Sequence, residues 1–358
     1  HAATACAMKI SRHQPPRGFA IIMVLVAITV LSILAGALAI FMKVESQLAQ
    51  TSNDSEKLLW IGRAGVQRAC WLLAQEPPVP TSLLQKWAGG PGTDQETNGP
   101  LADISLNGFQ VGDGSVDIDM VEQESKFNIN TADSQLLQQV LTTMGVDAGA
   151  ISVVADSIQD WIDPDDATKP AGAESDFYQG LNPPYYAKNA PIDNIQGLQY
   201  INGVTEEMFN GSGPPDPNAP FQHHQLGFGR SPGQAPEYPF GLRDVFTPYS
   251  NGKVNINTAD TNVLASIPGL DANAAEGIVT MRSSAGGEMG DGVIRSFNQL
   301  TPVLSGPAAL QQIQRYCVLA GNTYEVHVTA HVGSNSREFM AVILRYGNRA
   351  QVVSFYPK

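Results

Sequence analysis

Three cysteines in 358 residues exclude a disulfide-stapled scaffold and any zinc site built from four thiolates. Charge is sparse too: only 15% of residues are Asp, Glu, Lys or Arg, and cations are the scarcer sign, 21 against 34 acids. Neutralising phosphates takes Lys and Arg, so a net charge of −13 argues against a polyanionic partner. No nucleophile elbow occurs, and the glycines of GFGRSPG at 227–233 have no strand before them and no helix after them, which argues against a phosphate-cradling loop. His223 and His224 have no Cys nearby and read as exposed loop residues. What the chain has in quantity is apolar material, 43%, together with 34 Gly and 24 Pro. That suffices for a core and makes a loop-rich chain, so general disorder is excluded.

The longest uncharged stretch is Phe19–Met42, 24 residues whose only polar side chains are Thr29 and Ser32. As a helix it reaches roughly 36 Å, enough to cross a hydrocarbon core of about 30 Å. Lys9, Arg12, His13 and Arg17 precede it with no acid in residues 1–18, whereas Glu45, Asp54 and Glu56 follow. The positive-inside rule then places the N-terminus in the cytoplasm and the rest of the chain outside it. A cleaved secretory signal needs a shorter apolar stretch and a small-x-small site, which Ser46-Gln47-Leu48-Ala49 does not supply. Beyond it, Leu48, Leu58, Leu59, Ile61, Val66, Ala69, Leu72 and Leu73 recur at mostly helical spacing, with Gly62 and Gly65 as weak points and Pro77-Pro78 as the stop.

Arg17-Gly18-Phe19, directly ahead of the apolar run and behind a basic leader, resembles a type IV prepilin or pseudopilin signal. The resemblance implies that a prepilin peptidase cuts between Gly18 and Phe19, methylates Phe19 and leaves the apolar helix in place. Met8 is the candidate initiator, giving a leader Met8–Gly18. Pilins commonly carry Glu at the fifth mature position, where it offsets the amino terminus of a neighbouring subunit; here that position is Met23. A buried amine without a counter-charge is costly, so a subunit with Met23 belongs ahead of all others. Within the family this departure is typical of minor pseudopilin K of type II secretion.

The middle of the chain repeats itself. Lys126-Phe-Asn-Ile-Asn-Thr-Ala-Asp133 returns as Lys253-Val-Asn-Ile-Asn-Thr-Ala-Asp260, each read as a short strand, a cap at Asn130 or Asn257, and a helix. Tight turns at Gly145-Val146-Asp147 and Gly269-Leu270-Asp271 lead into second helices, and a weaker copy stands at Asn202-Gly203-Val204-Thr205. These units resemble helix-hairpin-helix motifs, also seen in membrane-bound DNA receptors of competence systems. A DNA-binding hairpin has a second glycine where this chain has Asp147, Asp271 and Thr205, and the two carboxylates would repel phosphate. Hairpins that pack on one another are therefore favoured over hairpins that bind nucleic acid, and no nucleic acid partner is expected.

Phe109–Val121 alternates around Gly112-Asp113-Gly114, a hairpin signal, and Tyr324–Val332, Phe339–Tyr346 and Gln351–Tyr356 read as an antiparallel meander. The expected fold is α+β: a pilin-like long N-terminal helix on an antiparallel sheet, with a large helical insertion. The expected division is a leader 1–18, a transmembrane part 19–42, an exported stalk 43–76, a loop and early strands 77–125, a helical insertion 126–300 and C-terminal strands 301–358.

Six acids fall between Asp160 and Asp176, opposed only by Lys169. Hard oxygen ligands on a Pro/Gly-rich loop suit Ca²⁺, although no EF-hand pattern is present and spacing alone favours a solvated acidic loop. The run DWIDPDD…GAESDFY…LNPPYYAKNAPIDNIQGL closely resembles pseudopilin K, a family that carries calcium in its helical domain. The resemblance implies Asp163, Asp165, Asp166, Glu174 and Asp176 as ligands; Ser175 stands where the family often has another acid. It further implies a non-enzymatic protein of the inner membrane with a periplasmic head. Its partners would be minor pseudopilins I, J and H, and its role to cap the pseudopilus tip and start its assembly. A minor pilin of a type IV pilus is the neighbouring alternative. His327 and His331, four apart on a strand and so about 13 Å from each other, are too distant for one metal. For Cys70 and Cys317, two buried free thiols are favoured over a disulfide.

Overall fold

The computed structural model describes residues 17–77, 80–211, 238–283 and 292–358, with side chains except at 17–19, 94 and 95. Residues 1–16 of the expected leader, His223-His224 and GFGRSPG lie outside the described residues. The chain divides into two units, through Leu59 and from Trp60 onward.

One helix, α1 (Arg17–Gln75), runs through the first unit and into the second. From residue 20 through Leu48 its large apolar side chains are exposed, Met23 to 61%. With a mean hydropathy of 2.8 over its most apolar window, α1 is long and apolar enough to cross a membrane. Leu48, expected on the core-facing stripe, is exposed instead.

In the second unit the character of α1 changes. Ile61, Val66, Ala69, Leu72 and Leu73 are buried, and the helix stops at Gln75, two residues before Pro77. Then follow α2 (Asp94–Thr97), β1 (Phe109–Val111), β2 (Gly114–Glu122), β3 (Phe127–Asn128), α3 (Ser134–Met144), α4 (Ala148–Ile162), α5 (Ser175–Gln179), α6 (Glu206–Asn210), α7 (Leu242–Val245) and β4 (Phe246–Thr247). The remainder is β5 (Val254–Asn255), α8 (Thr261–Ala265), α9 (Ala272–Ser283), α10 (Pro307–Tyr316), β6 (Cys317–Val318), β7 (Thr323–Val332), β8 (Asn335–Tyr346) and β9 (Arg349–Pro357).

The main sheet is antiparallel throughout, in the order β1-β2-β7-β8-β9. Tyr324, Val326, Val328, Ala330 and Val332 all point inward from β7, as their alternation predicts. The glycines that weaken α1 as a helix let it lie close to this sheet. A Cβ on Gly62 would stand 2.5 Å from the Phe339 ring, and one on Gly65 would stand 2.6 Å from Val328 and 2.8 Å from Val116. β2 pairs directly with β7, so the whole helical domain stands in place of a hairpin turn between them.

Three consecutive residues at the end of β2 tie that domain to the sheet. The fully buried Glu122 carboxylate accepts hydrogen bonds from Thr81 Oγ1 at 2.7 Å, Asn255 Nδ2 at 3.0 Å and Thr258 Oγ1. Gln123 accepts from Thr247, and Glu124 accepts from the N–H groups of Asn251, Asn322 and Thr323. Burial, countered by these hydroxyl donors, raises the Glu122 pKa to about 7.

The helical domain is built twice on one plan. In each copy the first NINTA asparagine, Asn128 or Asn255, accepts from the N–H two residues on, and a short parallel ladder closes the copy, β3 with β4 and β5 with β6. The second asparagine is not a helix cap. Asn130 instead binds the backbone of Ile192 both ways, at 3.0 and 2.6 Å, and Asn257 does the same to Ile294 at 3.0 and 2.8 Å. The caps are Asp133 and Asp260, which accept from Leu136 N–H and Asn262 N–H. The domain also extends past the expected limit at 300. Residues 301–358 open with α10, started by Gly306 and Pro307, whose Ala309, Ile313 and Tyr316 join the helical core.

Candidate functional site

The acidic loop begins on α4. Val154, Ala155, Ile158 and Trp161 turn that helix's apolar side to the core, and Asp160 shares their burial at 0% exposure. Asp163 caps the C-terminus of α4, and the chain then curls back so that Gly172 lies against Asp160, where a Cβ would run into Oδ2. Lys169 fills the curl. Its Nζ is 3.2 Å from Asp160 Oδ1 and 2.7 Å from Asp163 Oδ2, and its backbone N–H also donates to Asp160. Hydrogen bonding to Asp163 and then to Asp160 holds the ammonium above its ordinary pKa.

Glu174 is the anomaly of the site. It is 3% exposed, and neither carboxylate oxygen has a hydrogen-bond partner. Burial first, then the charges of Asp160, Asp163, Asp166 and Asp165, push its pKa up to about 7. Asp163 Oδ1 is likewise buried and unpartnered. Asp165 and Asp166 are exposed: the first accepts from Ala167 N–H at 2.9 Å, the second from Asn189 Nδ2 at 2.8 Å. Asp176 is exposed in the first turn of α5.

The structure thus brings Asp163, Asp165 and Asp166 near enough to Glu174 for their charges to act on it. It adds two residues that sequence reasoning did not count as ligands, Asp160 and Asn189. Asp160 was legible as a carboxylate on the apolar side of an amphipathic helix. Asn189 carries a left-handed φ of 45° and a buried Oδ1 without a partner, which no sequence signal announces. Among the described residues no group of three or more His, Cys, Asp or Glu is arranged to hold a metal as it stands. The donor chemistry nevertheless suits a hard cation: all the groups are oxygens, and Glu174, Asp163 and Asn189 keep buried acceptors unsatisfied.

At the hairpin turns the acids that stand in place of glycine act as caps. Asp147 accepts from Gly149 N–H at 2.9 Å, and Asp271 from Ala274 N–H at 2.7 Å and Ser305 Oγ at 3.0 Å. Helix N-termini that would otherwise face a phosphate are thereby filled by the protein's own carboxylates. Cys70 and Cys317 are buried free thiols. His327 and His331 pair separately, with Glu325 at 2.9 Å and Asp117 at 3.0 Å.

A long helix, apolar at its start and packed by its end on an antiparallel sheet, defines the pilin-like class, here with a helical domain inserted between two paired strands. The family model for type II secretion system protein K matches residues 114–214, and one for the helix-hairpin-helix motif matches 250–317. Type II secretion system protein K of Klebsiella pneumoniae is 23% identical over 209 residues, 54% of this chain and 60% of the relative. That of Aeromonas hydrophila is 24% identical over 206 residues with the same coverage. A putative protein K of Escherichia coli K12 is 34% identical over 76 residues, 21% of this chain and 23% of the relative. The matched region thus spans about 60% of the first relative's length. A chain in the crystal structure of the GspK–GspI–GspJ complex of enterotoxigenic Escherichia coli shares the fold, with a TM-score of 0.61 at 17% identity over 87% of this chain and 99% of that one. Over residues 114–214 the chain is similar to type II secretion system protein K, and its fold is that of the protein K structure.

Proposed function

We propose that the chain is the minor pseudopilin at the tip of a type II secretion pseudopilus, where it starts or caps assembly beside pseudopilins I, J and H. The observation that carries this reading is an apolar, lipid-length helix with Met23 in place of the usual acid, on a head enlarged by an inserted helical domain. The missing carboxylate removes the partner that a subunit stacked above would need. The inserted domain adds bulk that would obstruct such a subunit. In this reading the protein is not an enzyme. A prepilin peptidase cuts after Gly18 and methylates Phe19, and the head faces the periplasm while α1 stays in the inner membrane. Intact-mass analysis of the protein from its native membrane tests this: an N-methylated Phe19 is expected, and a retained Gly18 would reject it.

The acidic loop is proposed to hold Ca²⁺ through Asp163, Asp165, Asp166 and Glu174, with Asp176 the most peripheral of the expected ligands. A bound cation would satisfy the unpartnered oxygens of Glu174 and Asp163 and fix a loop that buries little apolar surface. Thermal unfolding should shift upward with Ca²⁺ in the wild type and not in Asp163→Ala or Glu174→Ala; no shift in the wild type would remove the claim.

The helix-hairpin-helix match favours a second reading, a membrane-anchored DNA-binding protein. The carboxylate caps at Asp147 and Asp271 oppose it. Salt-sensitive duplex binding by the protein at low ionic strength would establish it.

A further inference from the structure

We infer that Lys169 is a built-in counter-cation that occupies part of the acidic loop until a divalent cation displaces it; this rests on the proposed calcium site. Lys169 is the only cation in the run from Asp160 to Asp176. Its ammonium bridges Asp160, which has no exposed surface, and Asp163, an expected metal ligand. The same lysine's backbone N–H binds Asp160, so the side chain is anchored at its root and directed into the cluster.

The ammonium does not satisfy the whole site. Asp163 offers Oδ2 to Lys169 and leaves Oδ1 empty, and Glu174 has no donor at all. One monovalent, three-donor cation therefore serves two of the carboxylates, while a seat rich in unused oxygens remains beside it. A divalent ion ligated by Asp163 and Glu174 needs six to eight oxygens and takes them best from carboxylates not already committed to an ammonium. Two cations held by the same Asp163 carboxylate repel each other, so they compete. The arrangement explains why an all-oxygen cluster containing a buried, unpartnered glutamate is not arranged as a metal cage as it stands. Lys169 is one-third exposed, which gives its side chain a route to solvent when it is displaced.

The exclusion is tested by Ca²⁺ titration calorimetry on the full chain in detergent, comparing wild type, Lys169→Gln and Lys188→Gln. Lys188 is the charge control: it pairs with Asp193 and Pro191 O. Loss of Lys169 should tighten Ca²⁺ binding by about tenfold or more, the equivalent of one ion pair removed from competition, while loss of Lys188 should change it less than about threefold. Mass-spectrometric amine acetylation of the wild type supplies a second reading that needs no variant: Ca²⁺ should increase labelling at Lys169. Equal affinities in wild type and Lys169→Gln, or equal tightening in both variants, would overturn the competition and leave the calcium site standing. Labelling at Lys169 that does not change when Ca²⁺ binds would do the same. Absence of binding in both wild type and Lys169→Gln would overturn the calcium site and this inference together, whereas binding by Lys169→Gln alone would support a lysine that fully blocks the seat.

Discussion

Gly62 on α1 leaves a space that the ring of Phe339 on β8 occupies, so that a Cβ at residue 62 would stand 2.5 Å from Cδ2. Helix propensity favours alanine over glycine by about 1 kcal/mol, but overpacking a closed interface costs about 1–3 kcal/mol, and the ring is itself stacked on Phe355. Gly62→Ala should therefore lower the denaturation midpoint of the full chain in detergent. Gly36, where an added Cβ would meet nothing within 4 Å, should tolerate alanine without loss.

The two asparagine clasps should differ in strength. Asn257 is 3% exposed and Asn130 is half-buried. Removing either side chain leaves one backbone N–H and one C=O without partners, a cost of about 1–3 kcal/mol when water is excluded. Urea unfolding should show a larger loss for Asn257→Ala than for Asn130→Ala.

Glu76 gives stability a pH dependence. Its pKa is raised to about 9, first by burial and then by the hydrogen bond and charge of Glu96. Glu96 is lowered on balance: burial opposes, but the Glu76 hydrogen bond and the N–H groups of Lys86 and Thr93 outweigh it. The proton therefore sits on Glu76. An acid whose folded pKa is raised binds protons more tightly in the native state, so its contribution is complete below the unfolded value near 4.5 and is lost as pH rises through about 9. Its contribution to the melting temperature should fall progressively from about pH 4.5 to about 9, and Glu76→Gln should flatten that slope.

Glu174→Gln should separate charge from shape. The amide removes a buried charge set among four aspartates and replaces it with a neutral group. In chelator the variant should melt higher than the wild type, and it should lose the Ca²⁺-dependent gain. A variant that melts lower in chelator would mean that Glu174 is stabilised by something other than a cation.

Much of this architecture was legible in the chain. The strict alternation from Tyr324 to Val332, the turn at Gly112-Asp113-Gly114 and the doubled NINTA run announced the sheet and the duplicated helical domain. Other features were not, because they depend on contacts distant in sequence. Gly62 and Gly65 read as flaws in a helix until Phe339 and Val328 arrive from the far end of the chain. Asn130 and Asn257 have the residue type and position of caps, but their partners stand 62 and 37 residues away. In the acidic loop composition identified the carboxylates, whereas the isolation of Glu174 and the lodging of Lys169 follow from how α4 and the loop fold over one another.

The insertion between β2 and β7 has a kinetic consequence. Strands that pair residue for residue from Glu122↔Tyr324 to Ser115↔His331 are separated by about 200 residues where an ordinary hairpin needs about two. Closing so long a loop as flexible chain costs roughly 5 kcal/mol in entropy before any strand contact forms. A helical domain that folds first, and holds its entrance and exit side by side through Glu122 and Glu124, makes that closure in advance. The sheet should therefore be the late event in folding, waiting on a domain that lies outside it, and mutations that slow the helical core should delay the sheet by the same factor.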